Sequence, residues 1–328
     1  MRENEFLPWH REQQTRVLDQ HKAGKLPHAM LMGGPADVGK RQFAGALASY
    51  LLCQQPRDGG SCLECPMCHL VSAGSHPDLR WITPVDSKLI KIEQIRELID
   101  WASQTAQMGG MKIAILTPAE QMNNQSANAL LKCLEEPARN TALMLVSDQP
   151  GRLLPTIRSR CQRLDFPVPK AENTLAWLRS KIDSGEDPEL LLGMAGGAPL
   201  AVVEHIDQEY LERRRTLMAA VQAMVKGHKP AGEVAGSVTS SEPSEVLEML
   251  EGLFIDALKA QTTGSEKYIR NKDIMDIVNN VSEAFERHSL VEIIDRIGLE
   301  RRAVQGPSNP NVQLLLEGVL IEMSNKRG

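Results

Sequence analysis

Apolar residues recur with two different periods in the first half of the chain, and the two periods predict alternating strands and helices. Unbroken apolar runs predict buried strands at Ala29–Met32, Lys112–Thr117 and Ala142–Ser147. Helices with one apolar face are predicted around these strands, at Trp9–Lys25, Gln42–Leu52, Lys91–Gln107 and Ser126–Glu136. Strands that alternate with helices are typical of an α/β fold with a parallel sheet.

After Phe166 the alternation stops, and helices are predicted for the rest of the chain. Short helices cover 173–206, a longer helix covers Gln208–Lys226, and four helices follow a polar link at 227–243. These changes predict three domains. They are an α/β domain at 1–166 with an insert at 53–77, a small helical lid domain at 167–207, and a C-terminal all-helical domain at 208–328.

Composition and charge exclude several classes of protein. Of the 328 residues, 42% are hydrophobic, which is enough for real cores, and the net charge of −5 argues against a basic nucleic-acid-binding chain. Aromatic residues make up only 4%, which argues against base stacking as the main mode of binding. The sequence has no membrane-spanning apolar run, and its N-terminus does not resemble a signal peptide, so we expect a cytoplasmic protein.

The strand at Ala29–Met32 leads into a glycine-rich loop with the spacing of a phosphate-binding loop. Gly34, Gly39 and Lys40 fit G-x-x-x-x-G-K-[ST], in which backbone N–H groups and a lysine hold nucleotide phosphates. The last position of this pattern supplies a hydroxyl to Mg²⁺, but here it is Arg41, which has no lone pair to offer. The segment is therefore either a loop that holds phosphate without a metal ligand or a glycine-rich turn that binds nothing.

The end of the second buried strand also lacks the groups that ATP hydrolysis requires. In P-loop ATPases this strand ends in Asp-Glu, which orients Mg²⁺ and polarises the attacking water. Here Thr117–Pro118 follows the strand, and the nearest carboxylate, Glu120, is the one candidate base. Because both losses affect the same chemistry, we expect a degenerate site that does not bind ATP and Mg²⁺ productively.

Cysteines are concentrated in the insert that follows the first loop and helix. Cys62, Cys65 and Cys68 form two overlapping C-x₂-C units, and Cys53 supplies a fourth thiolate. Four thiolates close a tetrahedral Zn²⁺ site, and closed sites of this kind are structural. The segment between Cys53 and Cys62 is polar, so we expect a metal to fold it.

Other interpretations of the insert stay open. His69 and His76 are alternative ligands, although four cysteines already complete a tetrahedral set. The cysteines could also be reduced free thiols, or the insert could be a nucleic-acid-binding ribbon, which its single basic residue, Arg57, argues against. The other two cysteines, Cys133 and Cys161, are predicted to pack in the core.

Two arginines lie close together after the third buried strand. Arg158 and Arg160 are two positions apart in a predicted short helix or turn. A guanidinium offers a planar fork of donors to a phosphate, including one bound by a neighbouring subunit. The alternative is that the two arginines are a solvated surface pair. The local sequence does not distinguish this interpretation from a phosphate-binding role.

Several motifs together resemble one family. The run Ser126–Pro137, followed by Ser159–Cys161, resembles motifs of the bacterial clamp-loader AAA+ subunits, and the four-cysteine insert is similar to that of the gamma/tau and delta-prime subunits of DNA polymerase III. Lys40–Arg41 and Thr117–Pro118 resemble the delta-prime branch, because an active gamma/tau subunit has a hydroxyl and an acidic pair there. The resemblance spans nearly the whole chain, but its C-terminal helices match only in number and length.

The resemblance implies a fold and a role. The fold is an AAA+ P-loop domain, a helical lid and a helical collar for oligomerisation. The role is that of a non-hydrolysing subunit of the DNA polymerase III holoenzyme, in a hetero-pentamer with gamma/tau and delta subunits that loads a sliding clamp on primed DNA. Arg160 would be an arginine finger acting in trans on a gamma/tau ATP site, with Arg158 as support. Structural Zn²⁺ on the four insert cysteines is also a family feature.

Two other functions are kept as alternatives. A self-sufficient AAA+ ATPase would use Lys40 and Glu120, and it requires Mg²⁺-dependent turnover by this chain alone. The segment Gly196–Pro199 lacks the arginine that an active family member would place there, which argues against the hypothesis of a self-sufficient ATPase. A zinc-dependent nucleic-acid-binding module requires an affinity for DNA that falls steeply with salt and is lost with the metal.

Overall fold

The computed structural model describes residues 5–57, 59–108, 110–138, 140–182, 185–237, 242–305 and 311–327. The chain divides into two compact units, Met1–Trp177 and Leu178–Gly328. The first unit holds the sheet, and the described residues of the second unit form helices and no strand. The predicted domain boundaries near 166 and 207, and the separate lid domain between them, stay predictions.

One parallel sheet of five strands organises the first unit. The strands are β1 (Ala29–Gly33), β2 (Leu79–Ile82), β3 (Lys112–Leu116), β4 (Thr141–Ser147) and β5 (Gln162–Asp165). They lie in the order β2-β3-β4-β1-β5, and every pair is parallel. The predicted α/β fold with a parallel sheet is confirmed, and the three predicted strands correspond to β1, β3 and β4.

The strand order brings three chain segments together at one edge of the sheet. Gly33 at the end of β1 is aligned with Ser147 at the end of β4 and with Asp165 at the end of β5. Parallel strands end at the same edge, so the loops after β1 and β4 meet there. This edge carries the glycine-rich loop.

Strand β5, which follows a short helix after β4, was not predicted. Only Leu164 of its four residues is buried, and the exposed residues on either side of it are polar. A short edge strand with one buried side chain has no apolar run that would reveal it. It becomes a strand because it pairs with β1 along Met30–Gly33.

Helices surround the sheet in the first unit. After a short 3₁₀ turn at Pro8–His10 they are α1 (Arg11–Lys22), α2 (Lys40–Leu52), α3 (Pro66–Ser72), α4 (Ile92–Ser103), α5 (Asn124–Glu135), α6 (Pro155–Arg158) and α7 (Ala171–Arg179), which runs across the division between the units.

Several helix ends differ from the prediction by a few residues, and for two of them a polar side chain gives the reason. Helix α4 ends at Ser103 rather than Gln107, because the buried carboxylate of Asp78 accepts hydrogen bonds from the backbone N–H groups of Gln107 (2.9 Å) and Met108 (2.8 Å). Helix α5 begins two residues early, because the Asn123 side chain caps it by accepting from the Ser126 N–H at 2.8 Å.

Both faces of the sheet are covered by apolar side chains. On one face, Leu31 and Leu145 belong to the same buried cluster as Ile95 of α4 and Leu130 of α5. Met30 and Met32, which alternate with Leu31 along β1, are buried on the opposite face, and Phe43 of α2 is buried outside that cluster with its ring 5.0 Å from that of Phe166. Because the central strands are buried on both faces, they appear in the sequence as unbroken apolar runs.

The second unit is built from helices α8 (Pro188–Met194), α9 (Pro199–His205), α10 (Gln208–Val225), α11 (Ala231–Ser237), α12 (Pro243–Thr263), α13 (Met275–Ala284), α14 (Arg287–Gln305) and α15 (Val312–Asn325). The four helices predicted for 244–325 are confirmed among the described residues as α12 to α15. The predicted link at 227–243 is wrong in part. Its residues 238–241 lie outside the described ones, but α11 forms within it because Val234 and Ala235 are buried. Within the described ranges, no helix has the length and apolar character needed to cross a membrane.

Candidate phosphate loop, cysteine cluster and paired arginine

The glycine-rich loop joins β1 to α2, and packing requires two of its glycines. A Cβ at Gly34 would lie 2.0 Å from the carbonyl oxygen of Phe166. Gly39 has φ of +95°, which L-residues with a side chain rarely adopt, and a Cβ there would lie 2.4 Å from Leu7. Both glycines of the predicted phosphate loop are therefore also needed to fold the chain, whether or not a phosphate binds.

The lysine of the loop has internal partners. Lys40 is 3% exposed, and its Nζ forms an ion pair with Oδ1 of Asp148 at 2.6 Å. The same ammonium donates a hydrogen bond to the carbonyl oxygen of Pro35. Asp148 directly follows β4, whose end meets the end of β1. A phosphate that reached Lys40 would compete with this carboxylate for the ammonium.

The N-terminal segment also packs against the loop. Trp9 Nε1 donates to the carbonyl oxygen of Val38 at 2.9 Å, and His10 Nε2 lies 2.8 Å from the same oxygen. Burial, with a smaller contribution from the charge of Lys40, lowers the pKa of His10 from 6.5 to about 4. A neutral imidazole therefore donates through Nε2, and these contacts brace the loop at the residue before Gly39.

Arg41, which replaces the Mg²⁺-binding hydroxyl, and Glu120, the candidate base, both have contacts within the chain. The guanidinium of Arg41 lies 5.1 Å from the ring centroid of Trp81, on β2. Oε1 of Glu120 accepts hydrogen bonds from the backbone N–H groups of Asp148 (3.0 Å) and Gln149 (3.2 Å). Glu120, the candidate base, thus supports the turn that presents Asp148 to Lys40.

The four insert cysteines form one cluster. Their sulfur atoms all lie within 4.8 Å of one another. The Sγ–Sγ distances are 3.4 Å for Cys53–Cys62, 3.9 Å for Cys53–Cys65 and 3.9 Å for Cys62–Cys68. A tetrahedron with Zn–S bonds of about 2.3 Å has sulfurs about 3.8 Å apart. The cluster therefore has the donor set and the size of a four-thiolate metal site.

Backbone and side-chain contacts fix the insert around this cluster. The N–H groups of Cys62 and Cys65 donate to the sulfurs of Cys53 and Cys62, both at 3.3 Å. Apart from the cysteines, its small core contains Met67, with Leu70 packed against it. So little apolar burial does not stabilise a fold by itself, which fits a segment that a bound metal organises.

The remaining candidate ligands are separate from the cluster. His69 and His76 are not members of it among the described residues. Cys133 and Cys161 are buried in the main apolar core, and burial raises the pKa of the Cys161 thiol to about 11. The prediction that these two cysteines pack in the core is confirmed.

Arg160 lies between α6 and β5 and has two internal partners. Its Nη2 is 2.5 Å from Oε1 of Glu135, the last residue of α5, and its Nη1 donates to the carbonyl oxygen of Thr156 at 3.0 Å. Arg158 is exposed at the end of α6. Lys40 and Arg160 pair with different carboxylates, and neither Asp148 nor Glu135 was predicted as a partner from the sequence. Asp148 had a signal, because it directly follows a predicted strand.

Known proteins are similar to this chain along nearly its full length. A family model described as DNA polymerase III, delta subunit, matches residues 9–170, and one described as its C-terminal part matches 208–325. The chain is 36% identical to the DNA polymerase III subunit delta' of Pseudomonas aeruginosa over 304 residues, which cover 92% of this chain and 93% of that protein. It is 28% identical to the subunit of the same name from Escherichia coli (strain K12), with 98% and 96% of the chains covered.

The fold places the chain in the α/β AAA+ class, with a helical second unit. The glycine-rich loop lies at the edge of the parallel sheet where proteins of this class hold nucleotide phosphates. Within that class, both relatives above are named DNA polymerase III subunit delta', and the Pseudomonas aeruginosa protein is 36% identical over most of both chains. The chain belongs to the family of DNA polymerase III delta' subunits.

Proposed function

We propose that this chain works in a clamp loader, a hetero-pentamer with gamma/tau and delta subunits that opens a sliding clamp and sets it on primed DNA. The similarity to delta' subunits over 92% of the chain supports this role. The C-terminal helices at 208–328 form the collar through which the pentamer assembles. The chain acts in the cytoplasm during DNA replication, and it meets the clamp and the DNA through the complex.

The chain is the non-hydrolysing member of that complex. The observation that carries this proposal is the pair of Lys40 and Asp148, which places a carboxylate on the lysine that would otherwise hold phosphate. Arg41 stands where the Mg²⁺ ligand is needed, and Glu120 is engaged by two backbone N–H groups. ATP and Mg²⁺ are therefore not bound productively here, and the chain is not an enzyme by itself.

Arg160 acts as an arginine finger on the ATP site of an adjacent gamma/tau subunit, with Arg158 as support. Arg160 lies in the connection between α6 and β5, and its side chain is 35% exposed, so a neighbouring subunit can reach it. A finger supplied in trans stabilises the charge that develops on the transferred phosphate. The chain thus supplies a group for a reaction that it does not perform alone.

The cysteine cluster binds one structural Zn²⁺. Four thiolates with Sγ–Sγ distances of 3.4 to 3.9 Å fit a closed tetrahedral site, which leaves no position for a substrate. The ion therefore folds the insert and takes no part in chemistry. Gln14 of α1 donates to the carbonyl oxygen of Gly59 at 2.5 Å, so the folded insert also braces the N-terminal region.

The test is the Arg160→Ala variant in a loader reconstituted with its gamma/tau and delta subunits. We expect the variant to assemble but to slow ATP turnover at least tenfold. Arg163→Ala is the matched control, because Arg163 is an exposed arginine nearby that pairs with Asp165 at 2.5 Å. Equal turnover with both variants would contradict the assignment of the finger.

Turnover by the purified chain alone separates this proposal from a self-sufficient ATPase. We expect no Mg²⁺-dependent release of phosphate from ATP, with or without a Lys40→Ala substitution. Turnover that persists through purification and disappears in Lys40→Ala would show that the chain holds the metal with other residues. The non-hydrolysing role would then be wrong.

A further inference from the structure

The two terminal nitrogens of Arg160 are both engaged inside the chain. Nη2 pairs with Oε1 of Glu135 at 2.5 Å, and Nη1 donates to the carbonyl oxygen of Thr156 at 3.0 Å. A phosphate takes an arginine through the same forked end of the guanidinium. Glu135 therefore occupies donor capacity that a phosphate would use.

The core holds Glu135 and Arg160 within reach of each other. Ile157 and Cys161, on either side of Arg160, are buried in the same apolar cluster as Cys133 and Leu134, the neighbours of Glu135 on α5. The backbones that carry the two charged side chains are thus fixed by packing. A carboxylate at the C-terminal end of α5 is unfavourable beside the helix dipole, and the guanidinium offsets this.

The ion pair between Arg160 and Glu135 is weak enough for a phosphate to replace the carboxylate. The Arg160 side chain is 35% exposed and that of Glu135 is 51% exposed, so water screens the attraction between them. Exposed pairs of this kind contribute little to stability, and a multiply charged phosphate attracts a guanidinium more strongly than a single carboxylate does. Arg160 can therefore leave Glu135 for a phosphate without unfolding its surroundings.

We propose that Glu135 is a positioning residue that holds Arg160 in a resting position and competes with the phosphate of the neighbouring subunit. This inference rests on the proposed role of Arg160 as a finger acting in trans. Each engagement of the finger begins with the exchange of the Glu135 carboxylate for a phosphate. Glu135 thereby restrains ATP turnover by the assembled loader.

The test is the isosteric Glu135→Gln variant, assayed as kcat/KM for ATP in the reconstituted loader. Because the pair exists in the free state, its removal raises kcat/KM, by about two- to fivefold for a pair of this exposure. Glu136→Gln is the matched control, since Glu136 is the adjacent exposed carboxylate and no ion pair of it occurs among the described residues. We expect no change with that variant.

The same two variants in an Arg160→Ala background distinguish restraint from a structural role. We expect Glu135→Gln to have no effect once Arg160 is absent, because there is then nothing to release. The inference is overturned if Glu135→Gln alone leaves kcat/KM unchanged or lowers it, or if a rise in kcat/KM persists without Arg160. Either result would leave the assignment of Arg160 as the finger unaffected. If Arg160→Ala itself has no effect, the finger assignment fails and the inference fails with it.

Discussion

The ammonium of Lys40 and the carboxylate of Asp148 form an ion pair of 2.6 Å between the loop after β1 and the end of β4. The lysine is 3% exposed, whereas the aspartate side chain is 41% exposed. A buried ammonium without a partner is unfavourable, so Asp148 stabilises the loop as well as occupying its lysine. The same contact thus links the fold of the chain to its proposed lack of ATP hydrolysis.

Replacement of Asp148 by Asn should lower the free energy of unfolding by about 1–2 kcal/mol, because it leaves the buried charge of Lys40 with a neutral partner. Because Asp148 is partly exposed, the loss should be smaller than for a fully buried ion pair. Urea denaturation at pH 7 measures the change. Asp165→Asn is the control, because its partner Arg163 is exposed. We expect a loss below about 0.5 kcal/mol there, and equal losses for the two variants would contradict the prediction.

Stability should fall as the pH is lowered from 7 to 5, because His10 is neutral in the folded chain. Its pKa is about 4 when folded and 6.5 in the unfolded chain, so the unfolded chain binds the proton in this window. The stabilisation that neutral His10 contributes is fully present above pH 6.5 and is lost as the pH falls toward 4. The expected loss between pH 7 and pH 5 is about 2 kcal/mol.

The His10→Gln variant isolates this contribution, since a glutamine amide can still donate to the Val38 carbonyl but does not titrate. Urea denaturation at both pH values should show a smaller pH dependence for this variant than for the natural chain. His288→Gln is the control, because the His288 side chain is 69% exposed. A pH dependence left unchanged by His10→Gln would show that other groups are responsible.

Serine at Cys53, Cys62, Cys65 and Cys68 together should remove bound zinc, because a hydroxyl is a poor replacement for a thiolate ligand. Metal analysis of the purified chain should give one zinc per natural chain and none in the variant. Cys133→Ser is the control, because this cysteine is buried in the core away from the cluster, and it should keep the metal. One zinc per chain in the fourfold variant would refute the ligand set.

Alanine at Gly34 should destabilise the chain by more than about 2 kcal/mol, because its Cβ would lie 2.0 Å from the carbonyl oxygen of Phe166, and backbone cannot move aside easily. Gly151→Ala is the matched control, because nothing lies within 4 Å of a Cβ there. We expect that variant to stay within about 0.5 kcal/mol of the natural chain. Thermal or urea unfolding of both compares them directly, and similar stabilities would mean that the loop adjusts to a side chain.

Local patterns were sufficient for much of the fold. Strands β1, β3 and β4 were predicted because their burial on both faces produces continuous apolar runs. Strand β5 and helix α11 were missed because each is short and depends on a neighbour for burial. The early end of α4 was missed for a related reason, since Asp78 draws Gln107 and Met108 out of the helix from a position far along the chain.

The sequence by itself determined the alternation of the central strands with helices, the glycine-rich loop without its Mg²⁺ hydroxyl, and the cysteines that form the cluster. These features depend on residues that are close together along the chain, and local spacing is enough to recognise them. The tertiary structure alone decided that Lys40 meets Asp148 and that Arg160 meets Glu135. Those partners come from different elements, and only the packing of strands and helices brings their charges within hydrogen-bonding distance.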